Sequence, residues 1–195
     1  KVNKIVEEVT KNIIKRSKSN RLKYLQKLNA AKDLNIRRDL LSCGNIAHSV
    51  AGCSSSEKKE IISGEKPNIA IVSAYNDMLS AHKPYENYPS IIKKVIYRNN
   101  GTCQFAGGVP AMCDGITQGQ AGMELSLFSR DVIAQATAIA LSHNVFDGAI
   151  MLGICDKIVP GLLMGCLSFG HLPVIFIPAG PMTTGINNSE KKSAR

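Results

Sequence analysis

Four short apolar runs, each separated from the next by a helix-like segment, constrain the fold of this chain more than any other feature. They read "NIAIVSA" at 68–74, "TCQFAG" at 102–107, "GAIMLG" at 148–153 and "PVIFIPAG" at 173–180. Runs that are apolar throughout, without polar alternation, are typical of parallel strands that are buried on both faces. Strands that alternate with helices indicate a parallel sheet flanked by helices. The sequence therefore predicts an α/β domain over residues 68–195.

Residues 1–67 differ from the rest of the chain in the spacing of their apolar residues and in their charge. Apolar residues recur at helical spacing over residues 4–16 and again after a polar stretch at Ser17–Asn20. We expect the helix to be broken at this polar stretch. We also expect a polar loop at 51–60. This segment holds 15 of the 24 Lys and Arg residues but 7 of the 15 Asp and Glu residues. We predict a basic helical extension that packs on the α/β domain.

The excess of positive charge raises the alternative of nucleic-acid binding or assembly through the basic helices. The segment has one aromatic residue, Tyr24, and no nucleic-acid-binding motif, so a solvated helical face is favoured. No run of about 18 apolar residues predicts a membrane span, and no secretory signal is visible. We expect a cytoplasmic fragment of a longer protein with reduced cysteines, of which Cys103 and Cys166 read as core residues.

The polar residues that follow the predicted strands are the candidates for chemistry. Asn76 and Asp77 follow the first strand, Asp114 lies in the Gly-rich loop after the second, and residues 155–157 (Cys-Asp-Lys) follow the third. In open parallel sheets, ligands bind outside the carboxyl ends of the strands. We therefore expect these loops to meet at one edge of the sheet.

The residue types at this edge suit metal ions of two kinds. The carboxylates of Asp114 and Asp156 are hard ligands that suit magnesium, and the thiolate of Cys155 suits iron or an iron–sulfur cluster. Lys157 can pair with a carboxylate, bind a substrate anion, or become a ligand if its amine is carbamylated. An aspartate beside glycine is more often a turn residue, so each carboxylate taken alone is weak evidence.

Three histidines are further candidates for acid–base chemistry: His82, His143 and His171. A histidine at a helix end or in a turn is more often a surface or capping residue. The Gly-rich stretches fit neither the phosphate loop nor the dinucleotide-binding pattern.

Long segments of the chain resemble the phosphogluconate branch of the dihydroxy-acid dehydratase family. They are "SCGNIAHSVAGC", "NIAIVSAYNDMLSAHKPYE", "AGGVPAMCDGITQGQAGMELSLFSRDVIA", "LSHNVFDGAIMLGICDKIVPGLL" and "LSFGHLPVIFIPAGPMTTG". The resemblance covers essentially the whole chain and corresponds to the N-terminal part of that family. It implies that a further cluster cysteine of the family lies beyond residue 195, as does the family's C-terminal domain, which carries a serine thought to act as base.

The resemblance also implies roles for individual residues. Cys155 matches the cysteine that ligates the iron–sulfur cluster, and Asp114, Asp156 and Lys157 match magnesium ligands, the lysine as a carbamate. Asn76 and Asp77 are expected to bind substrate. Ala81 stands where dihydroxy-acid dehydratases have another cluster cysteine; the phosphogluconate branch shares this difference, which implies a [4Fe–4S] cluster.

The activity implied by the resemblance is a hydro-lyase reaction of the Entner–Doudoroff route. Water is lost from 6-phospho-D-gluconate to give 2-dehydro-3-deoxy-6-phospho-D-gluconate, in a protein expected to form a homodimer when full length and to bind neither membranes nor nucleic acid. Dehydration of another sugar acid or dihydroxy acid by the same chemistry is the alternative. Two further readings are a metal-free sugar-phosphate binding module and a non-catalytic fragment.

Overall fold

The computed structural model describes residues 2–33, 38–180 and 189–190. In this part of the chain, four strands form one sheet in the order β2-β1-β3-β4, and every neighbouring pair is parallel. The strands are β1 (Asn68–Ser73), β2 (Thr102–Gly108), β3 (Gly148–Leu152) and β4 (Val174–Ile177). The predicted α/β fold with a parallel sheet is confirmed.

Helices precede the sheet and connect its strands. The α-helices are α1 (Lys4–Asp33), α2 (Cys43–Val50), α3 (Ser55–Ser63), α4 (Tyr88–Arg98), α5 (Asp114–Thr117), α6 (Ser126–Leu141) and α7 (Ile158–Leu167), and 3-10 turns lie at Arg38–Leu40, Lys83–Glu86 and Ala121–Leu125. None of the helices in the described ranges combines the length and apolarity needed to cross a bilayer.

Both faces of the sheet are covered by helices, which explains why its strands are apolar throughout. On one face, Val72 of β1 and Met151 of β3 pack in a core with residues of α6 and α7. On the other face, Ile71 of β1 lies in a second core against which Ile92 and Ile96 of α4 pack. Successive residues of β1 thus enter opposite cores, as the two-residue period of a strand requires.

Two glycines allow α7 to lie very close to α6. A Cβ atom added at Gly161 would be 2.7 Å from the Arg130 carbonyl oxygen, and one added at Gly165 would be 2.6 Å from Thr137 Cβ. The two glycines are four residues apart and therefore lie on the same face of the helix. This contact sets the position of the N-cap residue of α7, which is Lys157.

The described residues form two compact units, divided after Ile36. The first unit is α1, a single helix on which the apolar side chains of Ile5, Val9 and Ile13 are exposed. The predicted break at Ser17–Asn20 is wrong. That stretch contains neither glycine nor proline, and the Ser17 hydroxyl donates to the Ile13 carbonyl oxygen at 2.8 Å, within the helix.

The second unit contains α2, α3 and the sheet with its helices. Buried Arg38 belongs to this unit: it forms an ion pair with Asp147 and donates to the Ile61 and Lys66 carbonyl oxygens. The segment before β1 is therefore joined to the sheet. The packing of the whole extension, residues 1–67, on the α/β domain stays a prediction.

The polar loop predicted at 51–60 is wrong for its second half, because α3 begins there. The Ser54 hydroxyl accepts from the Glu57 backbone N–H, and the Glu57 carboxylate accepts from the Ser54 backbone N–H at 2.9 Å. This reciprocal pair is a capping box, for which Ser-x-x-Glu is the sequence signature. The Glu57 carboxylate also accepts from the Tyr97 hydroxyl on α4, so it joins the two helices.

The α6–α7 contact generates a stability prediction. Gly165→Ala should lower the free energy of unfolding by about 1–3 kcal/mol, because the added methyl group overlaps Thr137 and the Ala134 backbone. Gly44→Ala in α2 is the matched control, since its nearest neighbour, Ser42 Oγ, would be 3.9 Å from the new Cβ. Urea unfolding followed by circular dichroism measures both. Equal midpoints for the two variants would contradict the close contact.

Candidate active site at the carboxyl end of the sheet

The strand order places a crevice between the ends of β1 and β3. The chain leaves β1 for β2 on one side and later enters β3 on the other side of β1. The two connections therefore run in opposite directions, which makes this the topological switch point of the sheet. In parallel α/β sheets, ligands bind in the crevice at such a point.

The loop after β3 has an unusual backbone. A Cβ at Gly153 would be 2.5 Å from Leu162 Cδ1 and 2.9 Å from Ile158 Cγ2, so the chain passes close to the side chains of α7 at this point. Two residues later, Cys155 has φ 79°, in the left-handed region that non-glycine residues rarely adopt. Its side chain is nevertheless exposed. Strained backbone of this kind clusters at functional sites.

Lys157 joins the loops that follow β2 and β3. Its Nζ forms ion pairs with Asp114 Oδ2 and with Asp156 Oδ2, the latter at 2.8 Å. Asp114 also accepts a hydrogen bond at 2.7 Å from the Ser126 hydroxyl at the start of α6. The structure thus brings together three of the residues singled out in the sequence, and adds Ser126.

The opposite charges in this cluster stabilise one another's ionised forms. Lys157 and, to a lesser degree, the Ser126 hydroxyl hold the pKa of Asp114 below its ordinary value. In return, Asp114 and Asp156 raise the pKa of Lys157. The lysine is therefore held as an ammonium ion, and a cation occupies the space between two carboxylates.

Asn76 and Asp77, the candidates after β1, have different surroundings. The Asn76 side-chain amide donates to the Ala111 carbonyl oxygen at 3.4 Å, which links this loop to the one that leads to Asp114. Asp77 accepts from the Tyr75 hydroxyl at 2.6 Å and from Lys83 Nζ at 2.8 Å. Asp77 thus belongs to a separate exposed cluster, and the substrate-binding roles stay predictions.

The three histidines fall into two groups. His143 follows α6, and its Nδ1 bonds the Ala140 carbonyl oxygen at 2.9 Å, as a capping residue does. His171 precedes β4. Both lie at the amino end of the strands, away from the candidate site at the carboxyl end. His82, in contrast, is fully buried between the ends of β1 and β3.

The donor atoms present fit metal ions only in part. Asp114 and Asp156 supply hard oxygen ligands around one positive charge, and Cys155 supplies an exposed sulfur. Within the described ranges, however, no three His, Cys, Asp or Glu side chains are grouped so that they could hold a metal ion. A complete cluster or magnesium site would need ligands in addition to these.

A cavity of about 710 Å³ lies elsewhere, between α2 and the edge strand β2. Its lining includes His48, Gln104 and His143 and none of the candidate residues at the switch point. The size of a cavity therefore does not identify the candidate site here. The carboxyl-end position and the converging charges do.

The site has a testable effect on the Cys155 thiol. Although Cys155 is exposed as a residue, partial burial of its sulfur raises the pKa of the thiol, and Asp156, Cys113 and Asp114 raise this pKa further. Because the thiolate is the reactive form, Asp156→Asn should lower this pKa and speed alkylation of Cys155 by a factor of about two to five at mildly alkaline pH. The measurement is mass spectrometry of metal-free protein treated with iodoacetamide.

Asp77→Asn is the matched control for this experiment, since Asp77 is not among the groups that raise the pKa of Cys155. Its alkylation rate at Cys155 should equal that of the unmodified protein. Equal rates for Asp156→Asn and Asp77→Asn would show that the Asp156 carboxylate does not act on the thiol.

Comparison with known proteins adds independent information. Residues 66–194 match the family described as dihydroxy-acid/6-phosphogluconate dehydratase N-terminal. The phosphogluconate dehydratase of Pseudomonas aeruginosa is 59% identical over 97% of this chain and 31% of its own length, and that of Escherichia coli K12 is 57% identical over 96% and 31%. A dihydroxy-acid dehydratase of Lachnospira eligens is 40% identical over 66% of this chain and 23% of its own length. The chain thus spans about a third of the length of the phosphogluconate dehydratases it matches.

Proposed function

This chain belongs to the dihydroxy-acid/6-phosphogluconate dehydratase family, and from that premise we propose that the whole protein dehydrates 6-phospho-D-gluconate. The product is 2-dehydro-3-deoxy-6-phospho-D-gluconate, as in the Entner–Doudoroff route. The observation that carries the proposal is the convergence of Asp114, Asp156 and Lys157 beside Cys155 at the switch point of the sheet. The identity of more than half to phosphogluconate dehydratases supports this substrate.

The reaction sets clear demands on the site. The C2–H and C3–O bonds break, the C3 hydroxyl leaves as water, and the resulting enol tautomerises to the 2-ketone. No electrons are gained or lost overall. The site must therefore bind an anionic sugar acid, assist departure of a hydroxyl group and provide a base for the C2 proton.

Cys155 is proposed as one ligand of an iron–sulfur cluster, of the [4Fe–4S] type. When bound, such a cluster supplies a Lewis acid that makes the C3 hydroxyl a better leaving group. The exposed sulfur at the end of β3 supports this role, because a ligand sulfur must be reachable. The cluster needs further thiolates, which we expect from the remainder of the longer protein.

Asp114, Asp156 and Lys157 are proposed to hold Mg²⁺ and the substrate carboxylate beside it. In the structure, the Lys157 ammonium takes the place between the two carboxylates. For Lys157 to become an oxygen ligand, its neutral amine must add carbon dioxide and release a proton, which gives a carbamate. Since both carboxylates stabilise the ammonium form, we expect metal binding and carbamate formation to depend on each other.

The remaining parts of the proposal concern the longer protein. The base that removes the C2 proton, a serine, is expected outside this chain, so we do not expect these 195 residues to catalyse the reaction alone. Asn76 and Asp77 are proposed to contact the substrate from the β1 side of the crevice. The protein is proposed to be a cytoplasmic homodimer that binds neither membranes nor nucleic acid.

Dehydration of another sugar acid or dihydroxy acid is the second candidate function. The identity of 40% to a dihydroxy-acid dehydratase favours it, because the same elimination acts there on a differently substituted acid. Assay of the full-length protein with phosphorylated and unphosphorylated aldonic acids, and with branched dihydroxy acids, separates the two. A preference for an unphosphorylated acid would overturn the proposed substrate.

Two substitutions in the full-length protein separate the two metal roles. Cys155→Ser should remove cluster iron and its visible absorbance, because a hydroxyl group is a hard and poor replacement for a thiolate. Asp156→Asn should keep the cluster but weaken Mg²⁺ binding, because a neutral amide loses the charge that holds a hard cation. Both should lower activity by about 100-fold or more. Anaerobic purification, iron and sulfide assays and titration of activity with Mg²⁺ provide the measurements.

Cys43→Ser is the matched control, since Cys43 is also an exposed free cysteine. It should retain full iron content. Retention of both iron and dehydratase activity by Cys155→Ser would mean that the thiol is not a cluster ligand.

A further inference from the structure

His82 lies between the carboxyl ends of the two strands that form the crevice. Its ring is fully buried, with Nδ1 2.7 Å from the Ala74 carbonyl oxygen and Nε2 3.0 Å from the Ile154 carbonyl oxygen. Ala74 directly follows β1, and Ile154 directly precedes Cys155. One side chain therefore bridges the starts of both loops.

The ring continues the pairing of the two strands where the backbone ladder ends. The Ala74 backbone N–H still donates to the Leu152 carbonyl oxygen at 2.8 Å, one residue beyond the end of β1. After this bond, the carbonyl groups of Ala74 and Ile154 face the imidazole instead. The two loops are thus held together at the point where they begin to separate.

The chemistry of the two contacts suits an imidazole ring. Carbonyl oxygens only accept hydrogen bonds, and an imidazole carries its N–H donor on a rigid ring with two nitrogens. Each ring nitrogen of His82 lies within hydrogen-bond distance of one loop carbonyl oxygen.

The segment that carries His82 is itself held firmly. The His82 backbone N–H donates to the Leu79 carbonyl oxygen at 2.8 Å, and its carbonyl oxygen accepts from the Tyr85 N–H at 3.0 Å. The Tyr85 ring is fully buried, contacts His82 edge to face, and its hydroxyl donates to the Ile177 carbonyl oxygen at the end of β4. Residues 79–85 therefore brace the carboxyl ends of three strands.

From this geometry we propose that His82 is a positioning residue that holds the loop of Cys155 against the end of β1. The consequence for the thiol is direct, because the bridged carbonyl belongs to the residue before Cys155. That bridge supports the left-handed backbone of Cys155, whose φ of 79° lies in a region that non-glycine residues rarely adopt. The part of this inference that concerns cluster binding rests on the proposed function; the part that concerns the loop does not.

Two variants of the full-length protein test the bridge. His82→Phe keeps a buried ring of similar size but has no donor, and His82→Gln keeps a donor that reaches one carbonyl group. His143→Phe is the control, since the His143 ring contacts one carbonyl oxygen and lies at the opposite end of the sheet. The first readout is the alkylation rate of Cys155 relative to Cys43 in metal-free protein that circular dichroism shows to be folded.

His82→Phe should raise this ratio about 10-fold, because a released loop removes the remaining partial burial of the thiol, whereas His143→Phe should leave the ratio unchanged. His82→Gln should lie between the two. A role limited to core packing would lower the unfolding midpoint of His82→Phe without moving the ratio. An unchanged ratio in folded His82→Phe therefore overturns the inference.

The second readout, the iron content of the cluster-loaded protein, should fall in His82→Phe and stay unchanged in His143→Phe. If the alkylation ratio agrees with the inference while unmodified protein binds no iron, the proposed function fails and the positioning role stands.

Discussion

The parallel pairing of β1 with β3 is the contact on which the rest of the structure depends. Five residue pairs, from Ile69 with Gly148 to Ser73 with Leu152, join the two central strands. Because the chain leaves these strands in opposite directions, their loops separate and open a crevice at the carboxyl end of the sheet. This pairing positions the loop of residues 155–157. Beyond the last paired residues, the His82 ring lies between the two strand ends.

Charge balance organises the crevice once the backbone has formed it. Asp114 and Asp156 come from different loops and would repel each other without the Lys157 ammonium between them. Two helix starts meet at this point, since Ser126 begins α6 and Lys157 caps α7. The close packing of α6 on α7 at Gly161 and Gly165 is therefore what keeps the three charges together.

The success of the sequence in predicting the fold differs from region to region. The four strands were predictable because a strand covered on both faces must be apolar along its length. The predicted helix break at Ser17–Asn20 was wrong because serine and asparagine lower helix propensity only slightly. The start of α3 was missed although Ser54 and Glu57 form a recognisable capping signature.

By itself, the sequence determined which residues follow each strand, and hence that Asp114, Cys155, Asp156 and Lys157 lie at carboxyl ends of a parallel sheet. Local patterns suffice for this, because a strand that is covered on both faces must be apolar along its own length. Only the tertiary structure decided the strand order, the meeting of Ser126 with Asp114, and the place of His82 between Ala74 and Ile154. These contacts join residues 8 to 72 positions apart through the packing of helices on the sheet, and no local pattern encodes that packing.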